Sequence, residues 1–195
     1  MRRFARVALA AALLVPAGIA VTGVAHAADA PAAFCHRSVP NGRMTVTPGL
    51  KYLVKQKQAY VLTTAGLVCN GAYVRGVDVS LHTSQPVAIG CTSAVGTEAN
   101  SGSSSGLFTW TKPAHSGESK FHGSITITAT SNHTTTAKLK GVINTSPANT
   151  LLGGHRVTGT IHFSKGLALT TNGGDCQPNA SLKNFPVSSI SLTIH

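Results

Sequence analysis

Lys138, Lys140, Arg156 and His162 lie in two neighbouring stretches where every second residue is polar, with Thr136, Thr158 and Thr160 spaced among them. Residues two apart in a strand face the same way, so pairing these stretches would set four cations and several hydroxyls on one face. Ammonium and guanidinium groups attract carboxylate and phosphate, and imidazole adds charge as the pH falls through its titration range near 6.5. The chemistry such a face could do is to hold an anionic polymer. The plainer reading is that the same charges only keep the chain soluble.

Catalytic patterns are sparse. The carboxylates are Asp29, Asp78, Glu98, Glu118 and Asp175. Glycoside hydrolysis usually needs a carboxyl pair, and a calcium site needs several acidic oxygens. Folding could bring Asp78 or Asp175 to a histidine, which keeps a cross-strand hydrolase as the alternative function. Asp175, inside Gly173-Gly174-Asp175-Cys176, reads instead as a turn residue beside a disulfide cysteine. Gly102-Ser103-Ser104-Ser105-Gly106 has the letters of a nucleophile elbow, but that device requires a strand before it and a helix after it. His82, His122, His162 and His195 fall on or at the ends of polar faces, without H-x-H or H-E-x-x-H spacing. They read as solvated imidazoles, so no metal and no cofactor is expected.

The elements that must position these residues are strands. Val77, Val79 and Leu81 alternate with Asp78, Ser80 and His82; similar alternation runs through Phe121–Thr130, Ala137–Ile143, Val157–Phe163 and Ile190–Ile194. One apolar and one wet face is the mark of antiparallel sheet, and Asn-Gly, Gly-Gly and Ser-Pro pairs punctuate the runs. The expectation is an all-β, antiparallel domain of about 8–10 strands, either a β-sandwich (Ig-like or related) or a barrel. Phe108 and Trp110 share an inward face. Leu50, Leu53 and Val54 allow a short helical turn between Leu50 and Gln58. The Ser/Gly-rich run Thr97–Gly106 reads as a surface loop within a single domain spanning residues 34–195.

Ahead of that domain, Arg2, Arg3 and Arg6 precede an uncharged run from Val7 to Val24 and an Ala25-His26-Ala27 end. That is the form of a secretory signal over residues 1–27, with residues 28–33 a disordered lead-in. The whole chain carries 16 Lys and Arg against 5 Asp and Glu, net +11; losing the three signal arginines leaves +8. No other apolar run is long enough to span a membrane. Cys35, Cys69, Cys91 and Cys176 are an even, widely spaced set, which in an oxidising compartment means two disulfides in one of three pairings.

The Phe108-Thr109-Trp110-Thr111 run, the Ser119–Thr130 strand, Gly141-Val142-Ile143, Gly159-Thr160-Ile161, the Gly-Gly-Asp-Cys turn and the closing strand resemble a group of small secreted β-rich proteins of actinobacteria, largely uncharacterised. The likeness covers about Cys69 to the terminus and implies an extracellular bacterial domain; it carries no functional residues with it. The expectation is therefore a secreted, non-enzymatic binding domain. Its partner would be an anionic cell-wall polymer or another extracellular protein, held by Lys138, Lys140, Arg156 and His162. A secreted inhibitor displaying the Thr97–Gly106 loop is a further alternative. Sequence-specific nucleic-acid binding is not expected, since no reading motif is present, and the sequence sets no oligomeric state.

Overall fold

The computed structural model describes residues 32–37, 42–52, 54, 56–72, 74–91, 98–112, 117–145, 152–167, 174–178 and 181–195. The proposed signal and residues 28–31 of the lead-in lie outside them. The strands are β1 (Ala33–Arg37), β2 (Gly42–Lys51), β3 (Gln56–Gly71), β4 (Gly76–Thr83), β5 (Val87–Ile89), β6 (Glu98–Lys112), β7 (Gly117–Ala129), β8 (Thr135–Ile143), β9 (Arg156–Phe163) and β10 (Ser181–Ile194).

Of the two architectures expected, the barrel is the one formed. Every pairing is antiparallel, and the order β2-β3-β4-β6-β7-β8-β9-β10 returns to its start because β10 pairs with both β9 and β2. Strand β1 stands in line with β2: Ala33–Arg37 pair with Ile194–Ile190 of β10, and Ala33–His36 with Gly71–Val68 of β3. The two thus share one of eight positions, and β5 adds a short pairing to the start of β3. Eight strands enclose a space about wide enough for side chains to fill.

That space holds the core. Trp110, Tyr60, Phe108, Phe121, Phe163, Phe185 and Met44 are fully buried. Phe108 stacks on Phe121 at 5.3 Å between centroids and meets Trp110 edge-on at 6.0 Å. The Trp110 indole N–H donates to Ser119 Oγ at 2.8 Å, so its one polar atom is satisfied inside. Outward positions carry Ser, Thr, Lys and His, the reverse of the apolar girdle of a lipid-facing barrel. Among the described residues no helix is long and apolar enough to cross a membrane.

Three local expectations are corrected. Ala33 is no part of a lead-in: it opens β1 and is buried, because β1 fills the gap between β10 and β3. Among the described residues after Leu50 there is no helical turn; β2 runs to Lys51, which bridges back to Val54 before β3 begins. The Thr97–Gly106 loop is strand from Glu98 onward, with β7 pairing along its length and β4 along Ser104–Gly106. Hydroxyls replace apolar contacts there: Ser101 Oγ and Thr126 Oγ1 lie 3.0 Å apart across the pair. Gly106 is required by close approach, since a Cβ would sit 2.0 Å from the Ser80 carbonyl oxygen. With that segment held in the sheet, the loop-displaying inhibitor loses its loop.

Two disulfides staple this frame. Cys35 joins Cys69, its register partner across β1 and β3, and Cys91 joins Cys176, 85 residues on. Each bridge contributes about 2–4 kcal/mol by restricting the unfolded chain, and both suit an oxidising compartment.

Candidate functional site

Strands β8 and β9 pair, with Lys138 opposite Thr160 and Lys140 opposite Thr158. Inward residues Ala137, Leu139, Val157 and Ile161 are buried, so the alternate residues are driven outward. The outward row continues on β10, where Ser191 faces Thr160 and Thr193 faces Thr158. Short hydroxyl side chains flanked by longer lysines leave a shallow groove of about 220 Å³, lined by Lys138, Lys140, Thr158, Thr160, Ser191 and Thr193. The three strands β8, β9 and β10 contain no Asp or Glu.

Arg156 and His162 share this face but do not line the groove. Arg156 lies opposite Val142, one level beyond Lys140, and His162 opposite Thr136, one level beyond Lys138. They stand six residues apart on β9, roughly 20 Å at strand rise. His162 Nδ1 is 3.2 Å from Thr136 Oγ1, which in turn lies 2.8 Å from Thr130 Oγ1. The four expected residues therefore form a ladder of charge at four successive levels, with two of them at the groove.

Sequence reasoning missed the far wall. Across β10 the row runs on to β1, with Phe34 beside Thr193 and His36 beside Ser191. Their rings stack at 5.5 Å and 22°, and Phe34 is 42% exposed. The available signal was the alternation of Phe34 and His36 with Ala33 and Cys35; what it lacked was a partner, more than 150 residues away in sequence. The face thus grades over four strands, about 14 Å, from ammonium through hydroxyl to an aromatic plane.

The carboxylates serve the frame. Asp78 Oδ1 accepts the Gly66 N–H at 2.5 Å, closing the bulge where β3 shifts register against β4; Arg37 donates to the Ala65 and Gly66 carbonyls, each at 2.8 Å. Asp175 accepts from Lys165 Nζ and from the Gly166 N–H, each at 2.9 Å, and lies 3.4 Å from His133 Nδ1. Burial pushes the Asp175 carboxyl up. The Lys165 and Gly166 hydrogen bonds, with the charges of Lys165 and His133, outweigh burial and hold it below the ordinary carboxylate value. Asp175 is a fixed anion tying two loops to the Cys176 turn. The hydrolase alternative retains only its contact with His133, whose side chain is 65% exposed.

A second groove, of about 290 Å³, lies on β4, β6 and β7, with Asn144 at its edge. His82 Nε2 is 3.0 Å from Ser105 Oγ, to which Ser84 Oγ donates at 3.3 Å. His122 Nδ1 pairs with Asn144 Oδ1, and the Asn144 N–H donates to the Lys120 carbonyl at 2.8 Å. Ser104, the centre of Gly102-Ser103-Ser104-Ser105-Gly106, points inward and donates to the His82 carbonyl at 3.3 Å. It sits in mid-strand, not on a strand-to-helix turn, so the elbow reading fails. Among the described residues no three His, Cys, Asp or Glu side chains group as metal ligands. No family model, curated protein or solved structure matches the chain.

Proposed function

We propose that this chain is an exported binding barrel, not an enzyme, that takes an anionic polymer across β8, β9 and β10. The observation that carries the reading is the groove itself: two exposed lysines above rows of threonine and serine, on three strands without a carboxylate. Lysine supplies charge without demanding one approach geometry, and the hydroxyls both donate and accept, which suits repeating ligands held in several registers. Arg156 and His162 extend the positive track at either end. The Phe34–His36 stack adds a flat apolar edge, which favours a polymer with saccharide rings over a bare polyphosphate. Export is supported by the signal-like residues 1–27 and by the two disulfides.

The test is retention on immobilised polygalacturonate against neutral dextran. Binding to the acidic polymer alone is expected, weakening steadily as salt shortens the reach of the charges. The double variant Lys138→Glu with Arg156→Glu should abolish retention. Retention indifferent to salt, or to those reversals, overturns the proposal.

A further inference from the structure

The groove on β4, β6 and β7 has no part in that reading, and its side chains are of a different kind. Three strands bring His82, Ser105 and His122 into one outward row, with Ser105 opposite both histidines in register. Lys120 adds a permanent positive charge, and Asn144 borders the same hollow. We propose that this groove is a second, independent site for a tetrahedral oxyanion, a phosphate or sulfate group free or as a monoester.

The hydrogen bonds set the donors. His122 Nδ1 is engaged by the Asn144 side-chain oxygen, an acceptor, so Nδ1 carries the proton. Its Nε2 is then the atom that takes up a second proton and becomes a further donor. On the opposite side Ser84 donates to Ser105, which leaves the Ser105 hydroxyl hydrogen for His82 Nε2. Protonation of His82 reverses that last bond and makes Nε2 a donor as well. That N–H is held by Ser105 Oγ and frees the Ser105 hydroxyl hydrogen, so an oxyanion between the imidazoles would meet the charged His122 N–H, the Ser105 hydroxyl, the Lys120 ammonium and the Asn144 amide, with the His82 charge behind Ser105.

The charges facing the two histidines are few. Strand β4 carries Asp78 four residues from His82, already bonded to the Gly66 N–H. Strand β7 carries Lys120 and, beyond it, Glu118. Strand β6 presents Ser101, Ser103, Leu107 and Thr109 along the same face, none of them titratable. Strand β3 presents Val61 beside His82, and β8 presents Val142 beside His122 with Arg156 of β9 behind it. Lys120 and Arg156 offset Asp78 and Glu118, so the surroundings are neutral overall and the balance becomes positive only as the histidines protonate.

A Ser105–His82 nucleophile and base is the rival chemistry. Acyl transfer needs donors for the oxyanion, usually backbone N–H groups. Here β6 pairs on both sides, so its N–H groups are committed to the ladder. Only side chains face the hollow, and they suit holding an anion.

The experiment is an imidazole NMR titration of the purified protein with inorganic phosphate at pH 5.5 and pH 7.5. Saturable shifts at His82 and His122 are expected, with affinity at least tenfold higher at pH 5.5. His82→Gln and His122→Gln should each weaken it about tenfold, as loss of one charge-assisted hydrogen bond. Lys138→Ala with Lys140→Ala should leave it unchanged, which separates this site from the polymer face. Glucose 6-phosphate and vesicles containing phosphatidic acid serve as comparison ligands. Tighter binding of one assigns the monoester to sugar or lipid, and equal binding assigns the free anion. Absence of saturable shifts at both imidazoles, or affinity unchanged in both glutamine variants, overturns the proposal.

Discussion

The lysine groove on β8, β9 and β10 and the histidine groove on β4, β6 and β7 lie on one barrel, yet they differ in charge, hydroxyl chemistry and backing. In the first, the charge is carried by ammonium groups and the hydroxyls stand in parallel rows. In the second, two imidazoles stand beside one lysine, and the hydroxyls form a relay from Ser84 through Ser105 to His82. Behind the lysines the barrel is apolar, with Ala137, Leu139, Ile161 and Leu192 fully buried. Behind His82 and Ser105 the interior is partly polar, with Tyr60 and Ser104. A closed barrel spends its backbone donors on its own ladder, so side chains alone differentiate its outer face.

The largest effect should come from breaking what the grooves share. Phe121 sits inside at the boundary between them, its ring covering the positions where Gly123 and Gly141 lack side chains; a Cβ on either would meet it at 2.7 Å or less. Phe121→Ala should cost about 3–5 kcal/mol in urea unfolding and loosen both grooves together. A loss below 1 kcal/mol would show that the two faces do not depend on a common core.

Next comes Asp175, which separates two kinds of pH response. Its folded-state value is lowered, so the stability it contributes is present above the unfolded carboxyl value near 3.9 and is lost as the pH falls through the lower folded value. Asp175→Asn should cost about 1.5–3 kcal/mol at pH 7 and flatten the acid limb of the stability curve. Anion binding at His82 and His122 should keep its pH profile in this variant. A parallel shift of both curves would mean that one group governs them.

Lys138→Glu with Lys140→Glu tests the comparison from the other side. Retention on acidic polymer should drop at least tenfold, about 1.4 kcal/mol, while phosphate shifts at His82 and His122 stay as they are. If both ligands weaken, the barrel has one diffuse positive field and not two sites.

Much of this was legible in sequence, for a definite reason. Period-two alternation says which way a side chain faces, so it placed Val77, Ile125, Leu139 and Ile161 inside and Lys138, Lys140, Arg156 and His162 on one face. It does not say which strands meet. Closure through β9, β10 and β2 was therefore undetermined between sandwich and barrel, and Phe34 and His36 could not be put beside Thr193 and Ser191. The histidine groove was hidden differently. Six of the fifteen β6 residues are serine and glycine, whose local preferences are those of a loop; the strand exists because β7 pairs along the run and β4 joins it from Ser104 onward. With Ser105 read as loop, nothing linked His82 to His122.

The smallest expected effect probes the polar backing of the histidine groove. Tyr60 is buried, and burial pushes its phenol above the ordinary value, the Ser104 side chain pulling the other way. Even so, its hydroxyl makes no well-formed hydrogen bond among the described residues. A phenol stripped of water without replacement costs free energy, so Tyr60→Phe should be neutral or stabilising, by up to about 1 kcal/mol in urea unfolding. Since Ser104 precedes Ser105 on the opposite face of β6, the substitution should also leave phosphate binding at His82 and His122 untouched. A destabilisation of more than 1 kcal/mol, or a weakened histidine site, would instead make Tyr60 and Ser104 a working pair that braces the groove from within. The difference between the two grooves would then extend through the barrel wall.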